Sequence, residues 1–346
     1  MWRTNPMSKY ADGRYHLDIS EMTAGTRVDG AYSLVNPQVA PKRDGSPYFK
    51  CLVRDATGQI PGRLWSIDPA AAGEITRTGY AWISGCTETY KDQIQLKIEE
   101  IKAYEPDDQD LAVLLPHTRF DVEEMFTELV TLMRTVRDPM VRAIVDAYTE
   151  DEPLMRRFRQ APAAVSLHHA FIGGLLEHTL QLLKIADAIL PLYPDINRDL
   201  VLLGLFLHDL GKGYELQWQK GFDYTLTGNL VGHIVFGVQL LGVKIRAAEQ
   251  ALGGERISLP LRHCIEHIVL SHHGKREFGS PVVPSTPEAI FVSQLDNLDA
   301  KTAMAIAAAD RAHLKPGQAF SDKIWALETS IYRPDPTSTE PVSPSS

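Results

Sequence analysis

Cysteine is scarce in this sequence. Cys51, Cys86 and Cys264 are scattered through 346 residues. That is too few and too dispersed for a disulfide framework or a zinc ribbon, and it fits a reducing, cytoplasmic setting. Long apolar runs are missing as well. The stretch from Leu200 to Leu207 is apolar apart from one glycine, but it falls far short of the roughly 18 residues of a membrane span, so no membrane partner is expected. The opening MWRTNPMSKYADGRYH has no apolar core for a signal peptide. There is no glycine-rich phosphate loop, and no internal repeat. Positive charge is also in deficit, with a formal net charge of −9. That counts against a protein that grips nucleic acid by charge alone. A site that holds divalent cations changes the local sign, however. The acidic balance therefore weighs against a passive binder more than against a metalloenzyme.

The pattern changes along the chain. Residues 1–14 read as a loose arm, and residues 15–104 as strands and turns. QIQLKIEEI places Ile94, Leu96 and Ile98 on one face and Gln93, Gln95 and Lys97 on the other, the period of a half-buried strand. YFKCLVRDATGQIPGRLWSI reads as two strands joined by an Asp-Ala-Thr-Gly turn, and GYAWISGCTETYKDQ enters a further hairpin. Short strands with turns at this spacing suggest a small barrel. Residues 105–118 are acidic, carry two prolines and read as a linker. From 119 to 333 the pattern is helical, beginning with Asp121 as a helix cap ahead of Glu123 and Glu124. Residues 334–346 are rich in Pro, Ser and Thr and read as a disordered tail.

Histidine is where the chemistry concentrates. Nine of the twelve histidines lie between His168 and His273. His208 and Asp209 end the apolar run in LFLHDLGK, and burying both is costly unless they are paired or bound to a metal. Taken alone, the pair could instead be a helix end with an Asp cap, the less expected of the two readings. His178 and His233 each sit on an apolar helical face, where a lone histidine is more often a satisfied core residue. His272 and His273 close a helix before Gly274 and could be C-terminal caps. Asp296 lies among apolar residues, and Asp299, three residues on, competes with it for a ligand role. Together these positions supply imidazoles and carboxylates without thiolates, a set that suits Mn²⁺, Fe²⁺, Co²⁺ or Mg²⁺. Two such ions sharing a carboxylate can drive phosphoester hydrolysis.

The order His178, His208-Asp209, His233, His272-His273, Asp296 resembles the HD phosphohydrolase superfamily. The stretches HHAFIGGLLEHT, FLHDLGK, TGNLVGHI, SHHG and FGSPVVPSTPEAIFVSQLDNLDAK, behind an OB-like segment, are similar to its YhaM-type 3′-5′ exoribonuclease branch. The resemblance spans about residues 15–315. It implies a multidomain α+β chain, with an N-terminal OB-like β-barrel followed by an all-α HD domain. It also implies that His178, His208, Asp209 and Asp296 hold one divalent cation, most simply Mn²⁺. His233, His272 and His273, with Asp209 bridging, would hold a second where two are bound. His208, Asp209 and Lys212 would then be catalytic. Lys212 is placed to meet a substrate phosphate, with a solvated helix-end lysine as an equal alternative, and His169 could also approach a phosphate, although a structural role is the more expected one there.

On the barrel, Lys50, Arg54, Arg63, Trp65, Tyr90, Lys91, Gln93 and Lys97 suit a single strand, with Arg63 and Trp65 on one strand face. Each aromatic could instead belong to the core. The expected substrate is single-stranded RNA, with single-stranded DNA as a second candidate, and the product is nucleoside 5′-monophosphate. Direction and product come from the resemblance. A homo-oligomer is also compatible with the sequence. The competing readings are an HD-type hydrolase of small nucleotides, and a non-catalytic nucleic-acid-binding or replication-accessory protein.

Overall fold

The computed structural model describes residues 14–42, 44–90, 93–165, 170–218, 222–309 and 319–332. The chain divides into two compact units, Met1–Arg119 with Gln217–Asp223, and Phe120–Leu216 with Tyr224–Ser346. The expected tail at 334–346, almost all of the expected arm, and His169 and Lys91 lie outside the described residues.

The first unit is a closed five-stranded barrel. Its strands are β1 (Arg27–Pro41), β2 (Pro47–Arg54), β3 (Gln59–Leu64), β4 (Tyr80–Tyr90) and β5 (Gln93–Ala103). Their order around the barrel is β1-β2-β3-β5-β4. Closure depends on β1, which is long enough to serve two neighbours. Arg27–Ser33 pairs antiparallel with β4, and Ser33–Pro41 pairs antiparallel with β2. The register breaks between Val35 and Gln38, where Asn36 takes a positive φ of 50° and bends the strand. A short parallel pairing of β3 with β5, Gly62 to Leu96 and Arg63 to Lys97, seals the other side. This is the OB-type barrel expected from the sequence. Alternation along β2 sends Phe49, Cys51 and Val53 inward, where they meet Val28, Tyr32, Ile83 and Leu96. Each large apolar side chain buried there contributes about 1.5–3 kcal/mol.

Two details of the strand reading are corrected. Residues 69–78 form a helix, α1 (Pro69–Thr78), between β3 and β4. Asp68 caps it by accepting from the Ala71 amide, Pro69 opens it, and Gly79 ends it in the left-handed conformation at φ 74°. Its Ile75 is fully buried in the barrel core. Gln95 was expected on the solvent face of β5 but is buried, and its Nε2 donates to Glu88 Oε1 at 2.5 Å. Residues 105–118, read as a linker, contain a helix, α2 (Asp108–Leu114).

The second unit is built from α3 (Val122–Met133), α4 (Pro139–Thr149), α5 (Glu152–Gln160), α6 (Gly174–Ile189), α7 (Arg198–Leu207), α8 (Lys212–Glu215), α9 (Leu226–Leu230), α10 (Gly232–Ala251), α11 (Leu259–Ser271) and α12 (Pro287–Ala309). Between α8 and α9 in the sequence, where the chain passes through the segment Gln217–Asp223 assigned to the first unit, Leu216–Gln217 and Asp223–Tyr224 form a two-residue strand pair. Asp121 caps α3 by accepting from the Glu123 and Glu124 amides, and Asp138, Asp151, Asn197 and Ser258 cap α4, α5, α7 and α11 in the same way. The apolar run Leu200–Leu207 is buried on every side because α7 is the central helix, packed by α4, α6, α11 and α12. Phe206 on α7 meets Tyr148 and Phe158 edge-on, with ring centroids 6.0 and 5.9 Å away. Among the described residues no helix is long and apolar enough to cross a membrane.

Candidate metal centre

The central helix delivers its C-terminal end to the site. His208 follows α7 directly and is fully buried, and Asp209 is 3% exposed. Four other helices converge on this pair. His178 comes from α6, His233 from the first turn of α10, and Asp296 from α12, while His272 and His273 follow the last turn of α11. The local packing is close. A Cβ on Gly211 would lie 2.2 Å from the His233 carbonyl oxygen, so only glycine lets the start of α8 approach α10 this nearly.

The side chains form two groups around Asp209. His178, His208 and Asp296 make one group, and His233, His272 and His273 with Asp209 make the other, each with its ligand atoms within 4.8 Å of one another. The two oxygens of Asp209 divide between them. Oδ2 lies 3.4 Å from His208 Nε2 and 3.9 Å from His178 Nε2. Oδ1 lies 3.4 Å from His233 Nε2 and 3.5 Å from His272 Nε2.

Every imidazole in the cluster has its Nδ1 committed elsewhere. His208 Nδ1 donates to the Leu205 carbonyl, His272 Nδ1 to that of Val269 and His273 Nδ1 to that of Phe278, each at 2.7 Å. His178 Nδ1 bonds Asp299 Oδ2 at 2.7 Å, and His233 Nδ1 bonds Glu215 Oε2 at 2.9 Å. A carbonyl or carboxylate only accepts, so the Nδ1 atoms carry the protons and the Nε2 atoms are left for a ligand. The Nε2 atoms of His178 and His208 face each other at 3.3 Å. Asp209 Oδ1, His233 Nε2 and His272 Nε2 are buried without a hydrogen-bond partner. Orphaned acceptors converging in a dry interior are costly unless something positive joins them. The residues therefore fit a divalent cation of the kind bound by nitrogen and oxygen.

The charge balance supports the same fit. Burial disfavours the charged form of Asp209, but the Lys212 ammonium, with Nζ 2.7 Å from Oδ2, outweighs it and holds the carboxyl well below the usual range. Burial likewise opposes ionisation of Asp296, and its hydrogen bond with His178 prevails and lowers it. For His178 burial works against the proton, yet bonds to Asp296 and Asp299 push it up to about 9. His272 and His273 are lowered, chiefly by burial.

The structure thus gathers His178, His208, Asp209, His233, His272, His273 and Asp296 into one cluster. Lys212 sits on Asp209, and Asp299 supports His178 instead of facing the centre. Sequence reasoning missed Glu215, which also accepts from the His233 amide at 3.1 Å, and Gln181, whose Nε2 donates to Asp299 Oδ1 at 2.7 Å. Gln181 stands one turn after His178, and that helical spacing was the one available signal. Arg63 and Trp65 belong to the barrel unit, and they part company there. Arg63 lies over the Tyr90 ring at 5.2 Å, and Trp65, beyond the end of β3, stacks on Tyr48 at 5.7 Å. Lys50, Arg63 and Lys97 stand side by side across β2, β3 and β5.

The chain is similar to known proteins. The HD domain model matches residues 175–301. The 3′-5′ exoribonuclease YhaM of Geobacillus sp. (strain WCH70) is 36% identical over 331 residues, covering 94% of this chain and 95% of its own. Among solved structures, the second OB-fold domain of replication protein A from Methanococcus maripaludis aligns with 26% of this chain and 96% of its own, at 17% identity and a TM-score of 0.18. With the HD site and the barrel on one chain, and similarity along nearly its whole length, the chain belongs to the YhaM-type 3′-5′ exoribonuclease family and is an HD-domain hydrolase.

Proposed function

We propose that this hydrolase is a metal-dependent exonuclease that shortens single-stranded RNA from its 3′ end and releases nucleoside 5′-monophosphates, with single-stranded DNA as a second substrate. One observation carries the reading: the two oxygens of buried Asp209 face two separate histidine-rich groups. In this reading His178, His208 and Asp296 would hold one cation, and His233, His272 and His273 a second, with Asp209 serving both groups and Mn²⁺ as the metal. Cations so held supply an activated water and stabilise the attacking and leaving oxygens of a phosphodiester. The protein's part is orientation. Asp299, Glu215 and three backbone carbonyls fix the five rings with Nε2 inward. Lys212 holds Asp209 in place and offers the nearby ammonium to a phosphate oxygen.

The barrel, taken as residues 15–104, binds the strand, and the helical domain, taken as 119–333, cuts it. The Lys50–Arg63–Lys97 row follows the phosphates, and Tyr90 and the Tyr48–Trp65 pair offer ring faces to bases. The cytoplasm is the proposed location, with Cys51, Cys86 and Cys264 free.

The test is a 5′-labelled RNA with a duplex and a single-stranded 3′ tail, incubated with Mn²⁺. The expected result is a ladder that shortens from the 3′ end and slows at the duplex, with a bulky 3′ block inhibiting. Equal cleavage of circular and linear strands overturns the exonuclease reading. An untouched RNA beside hydrolysed small nucleotides favours a small-nucleotide hydrolase.

A further inference from the structure

The turn that follows the second histidine-rich group has no role in the account so far. It runs Gly274-Lys275-Arg276-Glu277-Phe278-Gly279 and includes one turn of 3₁₀ helix, Arg276–Phe278. Its backbone is tightly tied. The Lys275 amide donates to the His273 carbonyl at 2.9 Å, and the Phe278 and Ser280 amides donate to the Lys275 carbonyl at 3.1 and 3.3 Å. The Phe278 carbonyl in turn accepts the His273 Nδ1 proton at 2.7 Å. The turn is therefore fixed to a ring that belongs to the Asp209 group.

Its side chains point the other way in character. Phe278 is 58% exposed. Its one ring contact among the described residues is with Lys275 Nζ, 5.6 Å from the centroid. Val282 and Val283, just beyond, are exposed too. Neither Lys275 nor Arg276 forms an ion pair among the described residues, and both are exposed. A single exposed aromatic needs no explanation. A rigid one, beside two unpaired cations and bonded to the metal cluster, matches what single-stranded nucleic acid requires, a stacking face with adjacent positive charge.

We infer that this turn is the clamp for the 3′-terminal nucleotide, with Phe278 stacking on its base and Lys275 and Arg276 holding the neighbouring phosphates. The inference rests on the exonuclease reading and deepens it. An enzyme that cuts the last linkage must hold the last nucleotide within one residue of its metals, and Phe278 is the exposed ring tied to that place. Stacking accepts any base, so the clamp is tolerant of sequence. After hydrolysis the released nucleoside 5′-monophosphate still lies on the same ring, so AMP is a direct probe.

The experiment compares the metal-loaded wild type with Phe278→Ala and Phe278→Trp, measuring metal content, AMP binding by calorimetry, and KM and kcat on single-stranded RNA. A lost stack weakens binding by about 5- to 160-fold, the equivalent of about 1–3 kcal/mol. Phe278→Ala should raise the AMP Kd and the RNA KM by that factor, with a smaller change in kcat and full metal content, and Phe278→Trp should restore both. Unchanged AMP Kd and KM in Phe278→Ala overturn the clamp. So does loss of metal in that variant, or failure of Trp to restore binding, since either makes the turn a support for His273. If the wild type itself produces no 3′ ladder, it is the exonuclease reading that fails.

Discussion

Asp299 Oδ2 and His178 Nδ1 lie 2.7 Å apart, both buried, joining α12 to α6 behind the candidate metal centre. The bond keeps the Nδ1 proton on the side away from the cluster and turns Nε2 toward His208. Outer-shell partners of this kind are worth about 10- to 100-fold in metal affinity. Asp299→Ala should therefore weaken cation binding at the His178 group by that factor while Asp209, His233 and His272 stay in place. Competition against a chromophoric chelator measures it, and wild-type affinity in the variant would show that Asp299 only packs.

A pH dependence follows from the same pair. In the metal-free protein His178 stands at about 9 against an ordinary 6.5. A folded value above the unfolded one gives stability that is fully present below pH 6.5 and lost as pH rises through about 9. Chelated protein should accordingly lose thermal stability across that window. His272 and His273, lowered by burial, act in the opposite sense below pH 6.5 and do not offset this. Cation uptake must displace the His178 proton, so affinity tightens as pH rises toward 9. Melting curves with and without chelator, and proton release into a weak indicator buffer, check both halves. A metal-free Tm that climbs from pH 6.5 to 9 contradicts the assignment.

The barrel makes an electrostatic prediction. Each phosphate neutralised on a single strand contributes about 0.7 to the slope of log K against log salt. Replacing Lys50, Arg63 and Lys97 together by Gln should flatten the slope by about 2, while Trp65→Ala should cost about 1–3 kcal/mol with the slope unchanged. Binding titrations at several salt concentrations separate the two, and an unaltered slope in the triple variant removes the row from the strand path.

How much of this could be read in advance depended on what each residue answers to. The seven cluster residues were legible because ionisable side chains stood inside apolar helical text, most plainly His208 and Asp209 at the end of Leu200–Leu207. The helix α1 was hidden because its apolar positions are few, and Asp68, Pro69 and Gly79 read equally well as a turn. Gln95 was misplaced because its burial depends on Glu88, a cross-strand partner that alternation along β5 does not reveal. Glu215 went unnoticed for a similar reason. It reaches His233 across 18 residues of chain, and only the close approach at Gly211 brings them together. Local pattern reported which groups were buried, and tertiary contact decided which way each one faced.

The most direct test of the account is Asp209→Asn, assayed for bound metal and RNA hydrolysis in the same preparation. The substitution keeps the shape and removes the charge that faces both groups. The account predicts up to two divalent cations per chain in the wild type, a sharp fall in the variant, and no 3′ ladder from the variant at any Mn²⁺ concentration that supports the wild type. A variant that keeps its full metal content and shortens RNA at the wild-type rate would contradict the account, because the two groups would then function without the carboxylate between them.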